Sequence, residues 1–420
     1  MSSPLVALAI FAATLVLAMV RPRGIHEAVW TVLGATAMLA TGAVRTADLA
    51  AVYDASHSAL FFLVALLIVS AIVDRSGLFE WGALHAARSA RGRGQVLFRN
   101  VVVLGTVVTA TLSLDTTAVL LTPVVLAFVR RLDVPARPYV IACAFIANAA
   151  SLPLPVSNLT NLILTGAFHI PFCTFTLYMV PAGAAAVTVT YLLLRHHFRN
   201  DLPDFDASLV RSNPMRAVPH RRFFQVTIAM LLATLVGYFV APWFGIEPYV
   251  VAFAAAGILA VAGVRAGRVD RSIMTEISWD VVPFVVGLFV VVQGVARLGV
   301  VDVIAAFLGR APGGVTGRVL LTAGVSGAAA NVVNNLPAAL VARTVLAHGA
   351  GGRAMIYATL IGTNVGPNLL PFGSLASVLV LSLAKRRGVR VSTWEFVQAG
   401  IVATPLSCVA AALVIVWLVR

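Results

Sequence analysis

The sequence predicts an all-α polytopic membrane protein: two inverted repeats with about ten transmembrane helices, two re-entrant hairpins and two broken helices. Three observations predict it: the composition, the spacing of the apolar runs, and a polar, proline-broken segment that recurs at matching points of two halves. Of the 420 residues, 60% are hydrophobic and only 11% charged, and the mean hydropathy is +0.96. A soluble domain cannot hide that much apolar surface, whereas a bilayer is a solvent for it. The formal net charge of +14 would suggest nucleic acid in a soluble chain. Here the basic residues sit in short loops between apolar runs, which is the pattern of membrane topology. A lipid bilayer is therefore the expected partner and nucleic acid is not.

Runs long enough to cross a bilayer lie at about 4–20, 25–44, 58–74, 137–168, 174–194, 223–243, 248–264, 281–300, 354–384 and 397–418. The first lacks the basic start of a cleaved signal peptide and is read as a transmembrane helix. Two further stretches, 97–131 and 317–348, are interrupted by Asp115-Thr116-Thr117 and by Asn334-Asn335. Each is read as a helical hairpin that dips in and returns to the same side. The runs 137–168 and 354–384 are broken by Ser151-Leu-Pro153-Leu-Pro155-Val-Ser157-Asn158 and by Asn364-Val-Gly366-Pro367-Asn368-Leu-Leu-Pro371-Phe-Gly373-Ser374. Proline removes a backbone donor, and a broken helix is tolerated at membrane depth only where it lines a protein cavity.

The polar segment 195–222 divides the chain into a first repeat, 1–194, and a second, 223–420. An odd number of crossings in the first half inserts the second upside down, the plan of many secondary transporters. A common register sets Asn148 on Asn364, Pro155 on Pro371, Asn158 on Ser374 and Asn161 on Ser377. Placing 195–222 in the cytoplasm leaves only Arg45, Arg297, Arg310, Arg318, Arg343, Arg353 and Arg420 outside and puts the other 23 of 30 basic residues inside. Both termini are then expected outside.

The candidate site gathers at the tips and breaks. An acid at membrane depth costs about 2.5–3.5 kcal/mol on insertion scales, so Asp115 is expected to earn its place as a substrate and proton-coupling group, although capping of the second hairpin arm is the plainer role. Thr116 and Thr117 accompany it. Asn334 and Asn335 form the matching tip, where a polar turn and a ligand site are equally good readings. Asn148, Ser157, Asn158, Asn161, Asn364, Ser374 and Ser377 supply side-chain oxygens and amides at the breaks, where helix N-termini favour polar ligands. Each alone could merely repair broken backbone; two breaks paired with two hairpins point to a transport site. Glu27, Asp74 and Asp280 near span ends are read as solvated interfacial charges. The segment from Phe79 to Arg93 reads as an interfacial helix. Cys143, Cys173 and Cys408 are far apart, and no CxxC or His/Cys cluster exists, so neither a metal site, a disulfide framework nor a cofactor is expected. With no nucleophile or metal cluster in view, an enzyme is not expected either, and the broken helices argue against a channel.

At these residues the chain resembles the bacterial arsenite permeases, members of the ion-transporter superfamily. The resemblance is carried by Leu78-Phe-Glu-Trp-Gly-Ala-Leu-His85, Leu121-Thr-Pro-Val124, Phe145 to Leu154 with Val156-Ser-Asn-Leu159, Asn334-Asn-Leu-Pro337, and Gly362 through Pro371 to Ala376. It implies a protein of the bacterial inner membrane that exports arsenite or antimonite as the neutral trihydroxide in exchange for protons. It leaves open a soluble arsenite-stimulated ATPase on the cytoplasmic face. Neutral Asn, Ser and Thr groups suit a neutral hydroxylated solute. Where the family often carries charge, this chain has Asn148, Asn364 and Asn368, and Leu114 stands where Asn is expected before the hairpin acid. A sodium/proton antiporter or a carboxylate carrier of the same superfamily is the alternative.

Overall fold

The apolar runs fold into helices almost end to end, and among the described residues there is no strand. The structure, a computed structural model, describes residues 4–210, 213–296, 300–350 and 352–419. Arg211, Arg297 and Arg420 of the charge bias, and the end of the 281–300 run, lie outside them.

The first half opens with α1 (Pro4–Val20), α2 (Glu27–Ala40) and the long α3 (Asp48–Arg75). An amphipathic helix, α4 (Leu78–Ala90), follows and buries Phe79, Gly82, Ala83 and Ala87 against the body. The first hairpin consists of α5 (Gly94–Thr111), a short α6 (Leu114–Thr116), a π-turn over Thr117–Leu121, and α7 (Thr122–Arg131). Then come the two pieces of the first broken helix, α8 (Arg137–Ala149) and α9 (Leu159–Ala167), and the closing α10 (Phe172–His197).

The second half repeats that order: α11 (Arg221–Val240), α12 (Pro248–Arg265), a short α13 (Ile273–Glu276), α14 (Val281–Ala296), α15 (Val300–Gly309), a hairpin of α16 (Gly314–Val333) and α17 (Asn335–Val345), the broken helix α18 (Arg353–Val365) and α19 (Leu375–Arg386), and α20 (Thr393–Val419). Packing follows the repeat: α2 lies on α14 as α12 lies on α3, and α10 packs on its counterpart α20.

Among the described residues six helices are long and apolar enough to cross a membrane: α10, α20, α12, the Ser56–Arg75 part of α3, Arg221–Phe244 around α11, and the hairpin arm α5. The shorter apolar helices Pro4–Val20, Glu27–Ala40 and Val281–Val295 join them. The arm α5 therefore matches a crossing in length, and it is the polar tip that sets the hairpin apart.

The broken helices occupy the centre. Every residue of α8 from Pro138 to Ala149, and of α18 from Ala354 to Val365, is buried. That is why both read as continuous apolar runs: a helix apolar all round belongs in a core. Small residues permit the approach. A Cβ on Gly362 would lie 2.3 Å from the Ala323 carbonyl oxygen, and one on Gly366 would lie 2.5 Å from the Gly327 Cα, so α16 and α18 touch backbone to backbone.

The linker between the halves is strapped down. Phe205 donates its N–H to the Gly92 carbonyl at 2.7 Å, and Asp204 accepts the Gly94 N–H at 3.0 Å. It thus holds α4 and the start of α5.

Candidate functional site

Both breaks start as the residue types require. Chain after Ala149 cannot remain helical through Pro153 and Pro155, and α9 restarts with Asn158 as its N-cap, its side chain accepting the Thr160 N–H at 3.1 Å. Helix α19 restarts with Ser374, which accepts the Ser377 N–H at 3.1 Å. These two positions are equivalent in the repeat register.

The breaks then face each other through a buried amide network. Asn148 donates to Asn368 Oδ1 at 2.8 Å and to Ser377 Oγ at 3.0 Å. Asn364 donates to Asn161 Oδ1 at 2.7 Å and accepts from Asn158 at 3.0 Å and Thr160 at 2.7 Å. The register maps Asn148 onto Asn364 and Asn161 onto Ser377. The Asn148–Ser377 and Asn364–Asn161 bonds are therefore one contact made twice with the halves exchanged. Asn161 also donates to the Ser151 and Leu154 carbonyls, and Asn368 to that of Phe145. Only the Asn148 Oδ1 atom is buried in this network without a partner. Saturated amides in a low-dielectric core are stabilising because an unmet partner costs about 1–3 kcal/mol.

The hairpin tips differ. The cap of the second arm in the first hairpin is Ser113, which accepts the Thr116 N–H at 3.1 Å. Asp115 is not the cap, so the plainer reading of that acid is corrected. Thr116 reaches Ser70 on α3 at 2.7 Å, and Thr117 reaches Thr109 on the other arm at 2.7 Å. Asp115 makes no hydrogen bond among the described residues and sits beside the π-turn, a feature that often marks functional positions. At the second tip, Asn334 has φ 75° and ψ 156°, a region populated almost only by glycine. The neighbouring Asn335 donates its N–H to the Gly373 carbonyl at 3.0 Å, which ties the tip to the second break.

A cavity of about 90 Å³, partly open to solvent, has Asp115 in its wall. Ser113, Thr116, Ser70 and Asn158 line it with their polar groups, and Leu63, Leu66, Leu67, Leu159 and Leu162 line it with apolar ones. Asp74 and Glu276 stand in the same wall. Of the predicted site residues, the cavity brings together Asp115, Thr116 and Asn158. Thr117, Asn148, Ser157, Asn161, Asn335, Asn364, Ser374 and Ser377 are buried in the packing behind it, and Asn334 lines a smaller cavity at the other tip.

Sequence reasoning passed over Ser70, Ser113 and Thr160, because single hydroxyls in apolar runs carry no signal until the fold pairs them. It also took Asp74 and Glu27 for solvated charges. Asp74 faces the cavity, and Glu27 is buried and paired with Arg21 at 2.8 Å. A second, larger cavity of about 740 Å³ carries Asp54, His57, His169, Glu247 and Arg343, and Leu162 lines both.

Two broken helices that face each other through a buried polar network, together with two hairpins, are the plan of a helical membrane transporter. The fold agrees with a solved one: the crystal structure of the YdaH transporter of Alcanivorax borkumensis superposes with a TM-score of 0.55 at 16% identity, over 87% of this chain and 85% of that one. The family profile described as Arsenical pump membrane protein matches residues 6–418, and the chain belongs to that family. Arsenical pump membrane proteins of Escherichia coli K12 and Yersinia enterocolitica are each 34% identical to it, over 95% of both chains. An uncharacterized transporter of Mycobacterium tuberculosis is 26% identical over 98% of both.

Proposed function

We propose that the protein is a secondary active exporter of trivalent arsenic or antimony, carried as the neutral trihydroxide and exchanged for protons at Asp115. The observation that carries this reading is the cavity on Asp115: a carboxylate with no basic partner among the described residues, surrounded by hydroxyl and amide groups that can bind a hydroxylated neutral solute. The substrate of the named relatives accords with it. The same carboxylate cannot fully serve a proton and a substrate hydroxyl at once, and that competition gives exchange. Asn148, Asn364 and their partners hold the two breaks in register behind the cavity and transmit rearrangement between halves. With residues 195–222 in the cytoplasm and both termini outside, the Asp115 cavity faces the cytoplasm, and the cavity bearing Arg343 faces outward.

The test is uptake of arsenite, sodium and citrate into proteoliposomes under an imposed pH gradient. Arsenite accumulation that collapses with the gradient is expected. Accumulation of sodium or citrate without arsenite overturns the reading.

A further inference from the structure

The Asp115 cavity shares part of its wall, at Asp74, with another compartment. That compartment is a recess of about 430 Å³, bounded by Gly77 and Glu80 of the α3–α4 corner, Pro219 of the linker and Arg387 after α19. Asp74, Val119 and Leu120 line both compartments. Of these shared residues only Asp74 is polar, and it sits at the end of α3, one turn past Ser70. Recess and site therefore meet at one carboxylate and two apolar side chains of the π-turn.

The charges around it are lopsided. Arg75 is committed to Glu276, by an ion pair and by a second bond at 3.0 Å, and it also donates to Ser272 at 3.1 Å. That pair cancels itself. Asp115 lies within the cavity and Glu80 stands in the recess wall. Arg387, the basic residue of the recess wall, points a guanidinium nitrogen at the Pro123 carbonyl at 2.7 Å. No basic residue lines the inner cavity among the described residues. Where the inner cavity and the shared wall carry carboxylates and no basic side chain among the described residues, the local field repels anions and concentrates cations.

We propose that Asp74 is the charge-selecting portal of the site, admitting neutral hydroxylated solutes and protons and rejecting oxyanions such as arsenate or phosphate. This deepens the reading of the Asp115 cavity as the substrate site. Asp74 acts there as a specificity-determining residue at the entrance.

The experiment needs no arsenical. Leu67 lines the inner cavity two helical turns before Asp74, about 10 Å further in by helix rise. Leu67→Cys is placed in the full chain with Cys143, Cys173 and Cys408 replaced, and the detergent-purified protein is reacted at mildly alkaline pH with thiol reagents of equal size and opposite charge. The cationic reagent is expected to react faster. Asp74→Asn should shrink the cation-to-anion rate ratio by about threefold or more, the effect of removing one unit charge at close range, and Asp74→Glu should restore it. An unchanged ratio in Asp74→Asn overturns the proposal, and so does a Leu67→Cys chain that neither reagent labels. Arsenite transport by the native chain, measured beside it, judges the substrate assignment separately: its absence leaves the ratio test intact.

Discussion

Replacing Asp115 by Asn separates the proposed energy coupling from architecture, because the cap of the hairpin arm is Ser113 and not Asp115. Ser113 holds the cap of the hairpin arm, through the Thr116 N–H at 3.1 Å, and its Oγ lies 3.0 Å from Thr116 Oγ1. Asp115 has no hydrogen bond to lose among the described residues. Ser113→Ala should therefore lower the unfolding free energy by about 0.5–2 kcal/mol, the cost of a lost N-cap. Asp115→Asn should leave it within about 0.5 kcal/mol. Transport should divide the other way. A one-unit pH gradient stores about 1.4 kcal/mol per proton, which supports about tenfold accumulation in one-for-one exchange. Asp115→Asn, unable to titrate, should bring that ratio to about one while slow downhill flux continues, whereas Ser113→Ala should keep it. Thermal unfolding in detergent and arsenite accumulation in proteoliposomes read the two quantities on the same preparations. Gradient-driven accumulation by Asp115→Asn at the native level refutes the coupling role, and a large loss of stability in that variant refutes the assignment of the cap to Ser113.

Asn364→Ala removes an acceptor shared by Asn158 and Thr160 and a donor to Asn161; at about 0.6 kcal/mol per bond in a membrane interior, rising where a partner is left unmet, a loss of about 2–4 kcal/mol is expected in denaturant unfolding. Asn334→Gly should raise the melting temperature, since the left-handed backbone there costs an asparagine about 1–3 kcal/mol, and a lower melting point would show that its side-chain contact to the Phe372 carbonyl outweighs the strain. Cysteines at Ser208 and Arg390, both exposed, should be shielded from an impermeant reagent in intact cells while one at Ile246 is labelled; labelling at 208 from outside reverses the orientation.

Composition and apolar run length determined the class of protein, because only lipid can solvate a chain this apolar. The recurrence of proline with Asn and Ser marked both breaks, since proline forbids the helix whatever its neighbours do. The repeat register drawn from those residues matches the paired Asn148–Ser377 and Asn364–Asn161 contacts. Tertiary structure decided which polar groups are available to a ligand. Asn161 and Asn364 looked no less like ligands than Asn158, yet they bond each other across some 200 residues, with Asn161 further spent on the Ser151 and Leu154 carbonyls, and only Asn158 of the three also borders the cavity. It likewise decided that Ser113 caps where Asp115 could have, and that Asp74 lines a cavity when its position at a helix end suggests open water. Local sequence specifies where a chain must break and what polar groups it brings; whether those groups bind each other or a solute depends on distances between segments that only the folded chain sets.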